Sequence, residues 1–354
     1  MSSFANERIS KISPYVPGEQ PKDKKYIKLN TNESPFPPSQ SAIEKIKMES
    51  ERLMLYPDPD ASELVLKIAD YYGVDKNCII LSNGSDEVLN FAFVAFCDES
   101  TPAIFPDITY GFYKVFADIN GVPCKEIPLR DDFTISIEDY TDENGVLFIA
   151  NPNAPTGILL PLEMIEKLLM QNQNRLCVID EAYIDFGGES CVPLIEKYDN
   201  LLVTQTFSKS RSMAGARLGV GFASPKIISD LVKVKYSTNP YNINRMTIVA
   251  GIGSMEDDDY FKSNCRKIIE ARAFTESSLA EMGFSFTSSY TNFVFCKTPI
   301  INGKELYSRL KDKGILVRHF DKARISDYIR VTVGSLEEMK IFINTVKTIL
   351  EELQ

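Results

Sequence analysis

The 354-residue chain holds a single histidine, His319. A zinc site built on several histidines is excluded, and the seven cysteines (78, 97, 124, 177, 191, 265 and 296) form no C-x-x-C pair that could replace one. A Ser-His-Asp triad would have to use His319, yet no G-x-S-x-G elbow accompanies it. Walker loops and G-x-G-x-x-G turns are missing as well. Basic runs are also absent. With 39 Lys and Arg against 49 Asp and Glu, the net charge is −10, which argues against nucleic acid and anionic membrane surfaces as partners. No apolar run is long enough to span a bilayer, and the N-terminus carries no charged-then-apolar signal. Scattered, unpaired cysteines read as reduced thiols, so a cytoplasmic protein is expected. Its proton transfers then fall to Lys, Tyr, Asp or Glu, or to a cofactor. His319 reads as a packing residue, and Asp257-Asp258-Asp259 as a solvated helix start.

What is present is an alternation. Short apolar runs at 78–81, 103–105, 146–149, 177–179, 201–203 and 218–222 are separated by segments of helical length and period, such as 85–97, 109–120 and 161–172. Continuous apolar strands between helices predict an α/β large domain, its mostly parallel sheet covered by helices on both faces. Ligands of such sheets bind beyond the carboxyl ends of the strands. Helices are expected near 40–53 and 62–72, the second closed by Gly73 as a left-handed cap. After about 256 the pattern changes: a long helical segment (258–282), β runs at 291–295, 315–318 and 328–333, a helix near 303–313 and a final helix over 336–353. The expected division is a large domain over 31–256 and a smaller α+β domain from 1–30 and 257–354.

Chemistry-bearing clusters fall at strand-to-loop positions. Asn83-Gly84-Ser85-Asp86-Glu87 opens a helix with small residues, suiting either a phosphate or a plain cap by Ser85 or Asp86. Asn151 to Gly157 (NPNAPTG) is a tight turn at a strand end. Asp180 ends an apolar strand, where it either caps the next turn or needs a cationic partner, and Tyr183 follows it. Lys209 lies in TFSKSRSMAGARLGVGF (206–222) beside the hydroxyls of Thr206 and Ser208 and the guanidinium of Arg217. Read alone, Lys209 fits a surface charge better than a nucleophile. Read together, the clusters match one molecule: pyridoxal 5′-phosphate asks for an amine, a carboxylate at its ring nitrogen, a phenol neighbour and a phosphate cup.

Motifs spread along nearly the whole chain sharpen this. LNTNESPFPPS (29–39), LYPDPDASEL (55–64), NGSDE (83–87), ITYGFY (108–113), NPNAPTG (151–157), VIDEAYIDF (178–186), TFSKSRSMAGARLG (206–219), PYNIN (240–244), TNFVF (291–295), GILVRHF (314–320) and YIRVTVGS (328–335) occur in this order. In them the chain resembles the fold-type I pyridoxal-phosphate aminotransferases, and within these the histidinol-phosphate aminotransferase family.

The resemblance implies an aspartate-aminotransferase-like fold and a set of roles. Lys209 is similar to the Schiff-base lysine, Asp180 to the partner of the ring nitrogen, Tyr183 to the donor toward the phenolic oxygen and Tyr110 to the residue stacked on the ring. Gly84, Ser85, Asp86, Thr206, Ser208 and Arg217 resemble the phosphate cup, with Gly215 expected to leave room for Arg217. Tyr56 resembles a tyrosine that reaches the neighbouring subunit's phosphate, which implies a homodimer. Arg330 and Arg318 resemble anion anchors, and Tyr15 and Asn32 positions that close over substrate. One departure is visible: many relatives carry asparagine before Pro-Thr-Gly, where this chain has Ala154, so that either Asn153 takes that role or Tyr183 bears the bond with less help. The implied reaction moves an amino group between L-histidinol phosphate and 2-oxoglutarate, giving imidazole-acetol phosphate and glutamate in histidine biosynthesis. An aromatic amino-acid aminotransferase, a threonine-phosphate decarboxylase or a cofactor-binding regulator on the same scaffold are the competing readings.

Overall fold

Alternating apolar residues decide the architecture. In Val146–Ala150, Leu147 and Ile149 pack into one layer, while Val146, Phe148 and Ala150 pack into another on the opposite side. A strand buried on both faces has to sit inside a sheet with helices above and below. The computed structural model, which describes residues 2, 4–6, 9–10 and 12–353, has this arrangement.

In chain order the elements are β1 (Ile27–Lys28), α1 (Gln40–Glu49), α2 (Ser62–Tyr72), β2 (Ile79–Ser82), α3 (Ser85–Phe96), β3 (Ala103–Pro106), α4 (Phe112–Asn120), β4 (Cys124–Ile127), β5 (Val146–Ala150), α5 (Leu162–Gln171), β6 (Cys177–Asp180), β7 (Leu201–Thr206) and β8 (Gly219–Ala223). They continue with α6 (Pro225–Thr238), α7 (Arg245–Glu256), α8 (Asp258–Glu281), β9 (Ser285–Phe286), β10 (Phe293–Lys297), α9 (Gly303–Asp312), β11 (Ile315–Leu316), β12 (Arg318–His319), β13 (Ile329–Thr332) and α10 (Leu336–Glu351).

The seven-stranded sheet runs β2-β8-β7-β6-β5-β3-β4. Only β8 is antiparallel to its neighbours; the other pairings are parallel. The core on one face draws Leu64, Ile68, Ile165, Leu168 and Ile252 from α2, α5 and α7. On the other face lie Val88, Phe93, Phe116 and Leu231 from α3, α4 and α6. Phe93 and Phe148 stack there with centroids 4.3 Å apart. Truncating so completely buried a ring to alanine costs about 3–5 kcal/mol.

A further core joins α8, α9 and α10 to the antiparallel sheet β12-β13-β10-β9. The N-terminal segment is stitched to it: β1 pairs with β11, and Thr332 donates its N–H to the Leu29 carbonyl at 2.9 Å. Helix α10 starts at a capping box in which Ser335 and Glu338 satisfy each other's backbone N–H.

Most expected elements are present. Gly73 closes α2 at φ +68, donating its N–H to Ala69. The helix expected over 109–120 begins only at Phe112, because residues 107–111 turn away from the strand end. Strand β4 has no counterpart in the apolar runs: Cys124-Lys125-Glu126-Ile127 lies at the sheet edge, where only Ile127 is buried and the polar side chains stay in water. Helices α6 and α7 lie outside the helical segments that the sequence pattern predicts. Among the described residues no helix is long and apolar enough to cross a membrane, and no group of His, Cys, Asp and Glu is placed to hold a metal ion.

Candidate active site

Where parallel strands end, their carboxyl termini open into a cavity of about 350 Å³. Ala150 arrives from β5, Asp180 from β6, Thr206 from β7 and Ser85 with Asp86 from the start of α3. Lys209 and Arg217 line it from the connection between β7 and β8. A cavity of about 370 Å³ adjoins it, sharing Thr31, Tyr110, Ala154, Tyr183 and Lys209.

Lys209 stands at the junction. Its Nζ lies 3.4 Å from the Thr31 carbonyl oxygen and 5.9 Å from the centre of the Tyr183 ring. The residues before it, Thr204 to Ser208, are all buried, so this lysine is no ordinary surface charge.

Asp180 is buried among neutral donors. Tyr113 Oη donates to its Oδ2 at 3.2 Å and Thr204 Oγ1 to its Oδ1 at 3.3 Å. Burial, with the nearby charge of Asp86, pushes its carboxyl up to about 6, while the hydrogen bonds from Tyr113, Thr204 and the Ala182 N–H pull the other way. It thus accepts from the turn that follows, as a cap would, but does so from a buried position lining the cavity. The next residue, Glu181, turns to the opposite side of the strand. It accepts from the Cys191 N–H, Ser190 and Gln205, and burial pushes it up to about 7.

The opening of α3 has no side-chain cap; its N-cap is Gly84 itself. Glu87 donates its N–H to the Gly84 carbonyl at 3.1 Å, while the N–H groups of Ser85 and Asp86, residues that line the cavity, lack helix-internal partners. Asp86 Oδ1 accepts from the Tyr110 hydroxyl at 2.7 Å, and Oδ2 pairs with Arg217 Nη2 at 3.3 Å. Ser208 Oγ accepts from Arg217 Nη1 at 3.4 Å and from Thr206 Oγ1 at 3.0 Å. The room for Arg217 comes from Gly84: its φ is +80, and a Cβ there would sit 2.6 Å from Arg217 Nη2. Gly215, expected to supply that room, does not, since a Cβ on it would meet nothing within 4 Å.

Tyr183 accepts a hydrogen bond from the Asn32 side-chain amide at 2.9 Å, leaving its own proton free to be donated. Asn32 is itself buried, with its Oδ1 accepting from Thr332 Oγ1 at 3.1 Å and its carbonyl from Asn292. Asn153, by contrast, is not among the residues lining either cavity. Its amide donates to the Ile108 carbonyl and Thr156 Oγ1, and its Oδ1 accepts from Thr109, so it ties loops together behind the wall. The wall position is Ala154, the residue that departs from the usual asparagine.

The adjoining cavity is cationic. Lys209, Arg318, Lys322 and Arg330 line it, and among the described residues no carboxylate does. Arg330 Nη2 donates to the Asn30 carbonyl at 3.3 Å, while its Nε is buried without a partner. Arg318 donates to the carbonyls of Val16 and Pro17, drawing the N-terminal segment with Tyr15 over the opening. Tyr15 packs on Phe112 at 4.4 Å. Tyr56 is elsewhere: it is 77% exposed, stacked on Tyr241, and outside both cavities of its own chain. His319 bonds a ring nitrogen to the Ser326 carbonyl, away from the cavities.

Residues that the motifs did not single out also contribute. Tyr113 and Thr204 hold Asp180, and Lys322 and Thr31 line the walls. Tyr113 had a signal available, standing one helical turn after Tyr110 in ITYGFY.

Residues 24–346 match the family model for aminotransferase class I and II, and the chain belongs to that family. Its similar relatives include histidinol-phosphate aminotransferases. A histidinol-phosphate aminotransferase of Brachyspira hyodysenteriae is 49% identical over 354 residues, covering 99% of this chain and 100% of that one. Another, from Clostridium acetobutylicum, is 46% identical over 98% of this chain and 99% of its own length. Among solved structures, the histidinol-phosphate aminotransferase of Sinorhizobium meliloti in complex with pyridoxal-5′-phosphate superposes with a TM-score of 0.92. It covers 100% of this chain and 99% of that one at 23% identity, a likeness of fold. A Clostridium acetobutylicum histidinol-phosphate aminotransferase structure gives a TM-score of 0.85 at 26% identity, covering 92% of this chain and 99% of that one.

Proposed function

We propose that this chain moves an amino group between L-histidinol phosphate and 2-oxoglutarate, giving imidazole-acetol phosphate and L-glutamate in histidine biosynthesis, with pyridoxal phosphate as cofactor. The observation that carries the reading is the meeting of two unlike cavities at Lys209, one with a mixed donor set and one with cations alone.

The first cavity fits the cofactor. A buried carboxylate, Asp180, faces it with neutral donors only, and so has a place for a protonated ring nitrogen. At the other end Arg217, Ser208, Thr206 and the uncapped N–H groups of Ser85 and Asp86 supply cation and donors for a phosphate. Gly84 provides the room that Arg217 needs there. Bound in such a site, pyridoxal phosphate supplies an aldehyde for amines and an electron-withdrawing ring that eases loss of a substrate proton.

The protein's own share follows from its groups. Asp180 holds the ring nitrogen's proton in place. Tyr183, steadied by Asn32, donates toward the phenolic oxygen, and Tyr110 provides an aromatic wall. With Ala154 at the wall and Asn153 turned into the loops, Tyr183 carries that bond without help from Asn153. Lys209 Nζ would hold the cofactor through its aldehyde and, when free, is placed as the base that takes the proton lost from the amino-bearing carbon of the substrate. Arg330 and Arg318 take the anionic groups of the substrates, since a guanidinium fork accepts phosphate and carboxylate alike. Tyr15 and Asn32 complete the enclosure.

The same reading divides the chain into a cofactor-binding part, 31–256, and a substrate-closing part, 1–30 with 257–354, a division that the separate hydrophobic cores support. It also makes the enzyme a cytoplasmic homodimer in which Tyr56 serves the neighbouring site. The exposed run Leu53, Met54, Leu55 and Tyr56 supports that pairing. Single-turnover spectroscopy with histidinol phosphate, phenylalanine and threonine phosphate tests the substrate. Histidinol phosphate is expected to react fastest, with its amino group recovered in glutamate. A faster reaction with phenylalanine, or release of CO₂ from threonine phosphate, would overturn the assignment.

A further inference from the structure

We propose that Tyr113 is a positioning residue for Asp180, and that its hydroxyl sets how firmly the protein keeps the cofactor's ring nitrogen protonated. The inference rests on reading the first cavity as a pyridoxal phosphate site. It concerns a residue outside the lining of either cavity, acting through Asp180 and not by touching the ligand.

Asp86 and Asp180 both line the cavity, and the charge of Asp86 bears on Asp180. Two buried or partly buried acids facing one space disfavour each other's ionised form. Each receives a phenol from the same short stretch: Tyr110 donates to Asp86 at 2.7 Å and Tyr113 to Asp180 at 3.2 Å. Tyr113 is 0% exposed, and its ring is enclosed by Phe105, Phe148 and an edge-on Tyr110, with centroids 5.8, 5.7 and 5.6 Å away. That enclosure fixes the direction of the hydroxyl. Burial and the Asp180 charge push the Tyr113 phenol well above its usual range, so it remains a donor at every working pH.

A permanent donor favours the carboxylate form of the acid it touches. The other side-chain donor to Asp180, Thr204 from β7, is longer at 3.3 Å. The other charged groups lining the same space are Glu33 from the N-terminal segment, Asp86 from α3, which opposes ionisation of Asp180, and Lys209 and Arg217 from the β7–β8 connection. Without the Tyr113 proton, Asp180 keeps a proton of its own more readily and presents less charge to the ring nitrogen.

The test is Tyr113→Phe, which keeps the ring and deletes only the donor. Cofactor-free protein is titrated with pyridoxal phosphate, and ring-nitrogen protonation in the holoenzyme is followed by ¹⁵N shift against pH. A loss of one charge-assisted bond predicts about tenfold weaker cofactor binding and a ring-nitrogen titration displaced downward by about one pH unit. In turnover, kcat falls while KM for histidinol phosphate stays. Unchanged affinity and unchanged titration overturn the inference. Should the variant not fold, 3-fluorotyrosine at position 113, a stronger donor of nearly the same shape, must move the titration upward; no upward movement overturns it equally. A wild-type enzyme inactive on histidinol phosphate, alongside a displaced titration in Tyr113→Phe, removes the substrate assignment and leaves this inference standing.

Discussion

The side-chain amide of Asn32 donates to the hydroxyl of Tyr183 at 2.9 Å, joining residues 151 positions apart. Asn32 is held at φ +55 by Thr332 and Asn292, so the orientation of a cavity tyrosine depends on a segment stitched to the C-terminal sheet. Asparagine tolerates that backbone region better than other non-glycine residues.

Asn32→Ala should therefore lower both stability and rate. Loss of the amide leaves the Tyr183 hydroxyl unsteadied and the Thr332 hydroxyl short of an acceptor. The expected cost is about 1–3 kcal/mol in unfolding free energy, with kcat reduced about tenfold. Urea unfolding and steady-state turnover check it. Unchanged kcat would mean that Tyr183 needs no help from Asn32.

Lys209→Ala should abolish turnover while leaving the fold intact, because the contacts of Lys209 Nζ are long, 3.4 Å to the Thr31 carbonyl and 5.9 Å to the centre of the Tyr183 ring. Borohydride treatment of the wild-type holoenzyme should fix the cofactor to the peptide containing Lys209, and peptide mapping reads the result. Label on another lysine would sink the assignment.

Gly84→Ala and Gly215→Ala form a contrasting pair. At Gly84 the backbone is in a region all but reserved for glycine and the new Cβ meets Arg217, so pyridoxal phosphate affinity should fall, with a strain cost of about 1–3 kcal/mol. At Gly215 the space is open. Affinity there should be close to wild type, and a loss equal to that of Gly84→Ala would contradict the geometry.

Stability against pH in the cofactor-free protein has a sign that can be checked. Asp180 and Glu181 are raised to about 6 and about 7, above their usual 3.8 and 4.5, so the folded state binds more protons than the unfolded state between those values. Their contributions are complete at low pH and lost as pH rises, Asp180 from about 4 to 6 and Glu181 from about 4.5 to 7. Each is worth up to about 3 kcal/mol. Asp180→Asn should flatten the lower part of the curve and Glu181→Gln the upper part. A slope of opposite sign in the difference curves would refute the burial argument.

Arg330→Ala should raise KM for glutamate and 2-oxoglutarate by about 100-fold, the worth of a bidentate charge-assisted pair in a partly desolvated site. Arg330→Lys should recover little, because an ammonium lacks the planar fork. Half-reactions measured separately with glutamate and histidinol phosphate decide it; no change in either removes Arg330 from the anion site.

The chain by itself determined the strand–helix alternation, because burial on both sheet faces demands continuous apolar runs, and it placed Lys209, Asp180 and Arg217 at strand ends. Edge strand β4 escaped, since its Lys125 and Glu126 stay in water and leave no apolar signal. Only the tertiary structure decided which way side chains turn at those strand ends. Adjacent residues point to opposite faces, so Asp180 enters the cavity while Glu181 leaves it. Loop closure likewise sent Asn153 inward and brought Ala154 to the wall. Tyr113, the phenol that holds Asp180, the glycine that admits Arg217 and the asparagine that steadies Tyr183 lie 67, 133 and 151 residues from the groups they serve along the chain. Local sequence carries propensity and period; it does not carry the distances that folding closes.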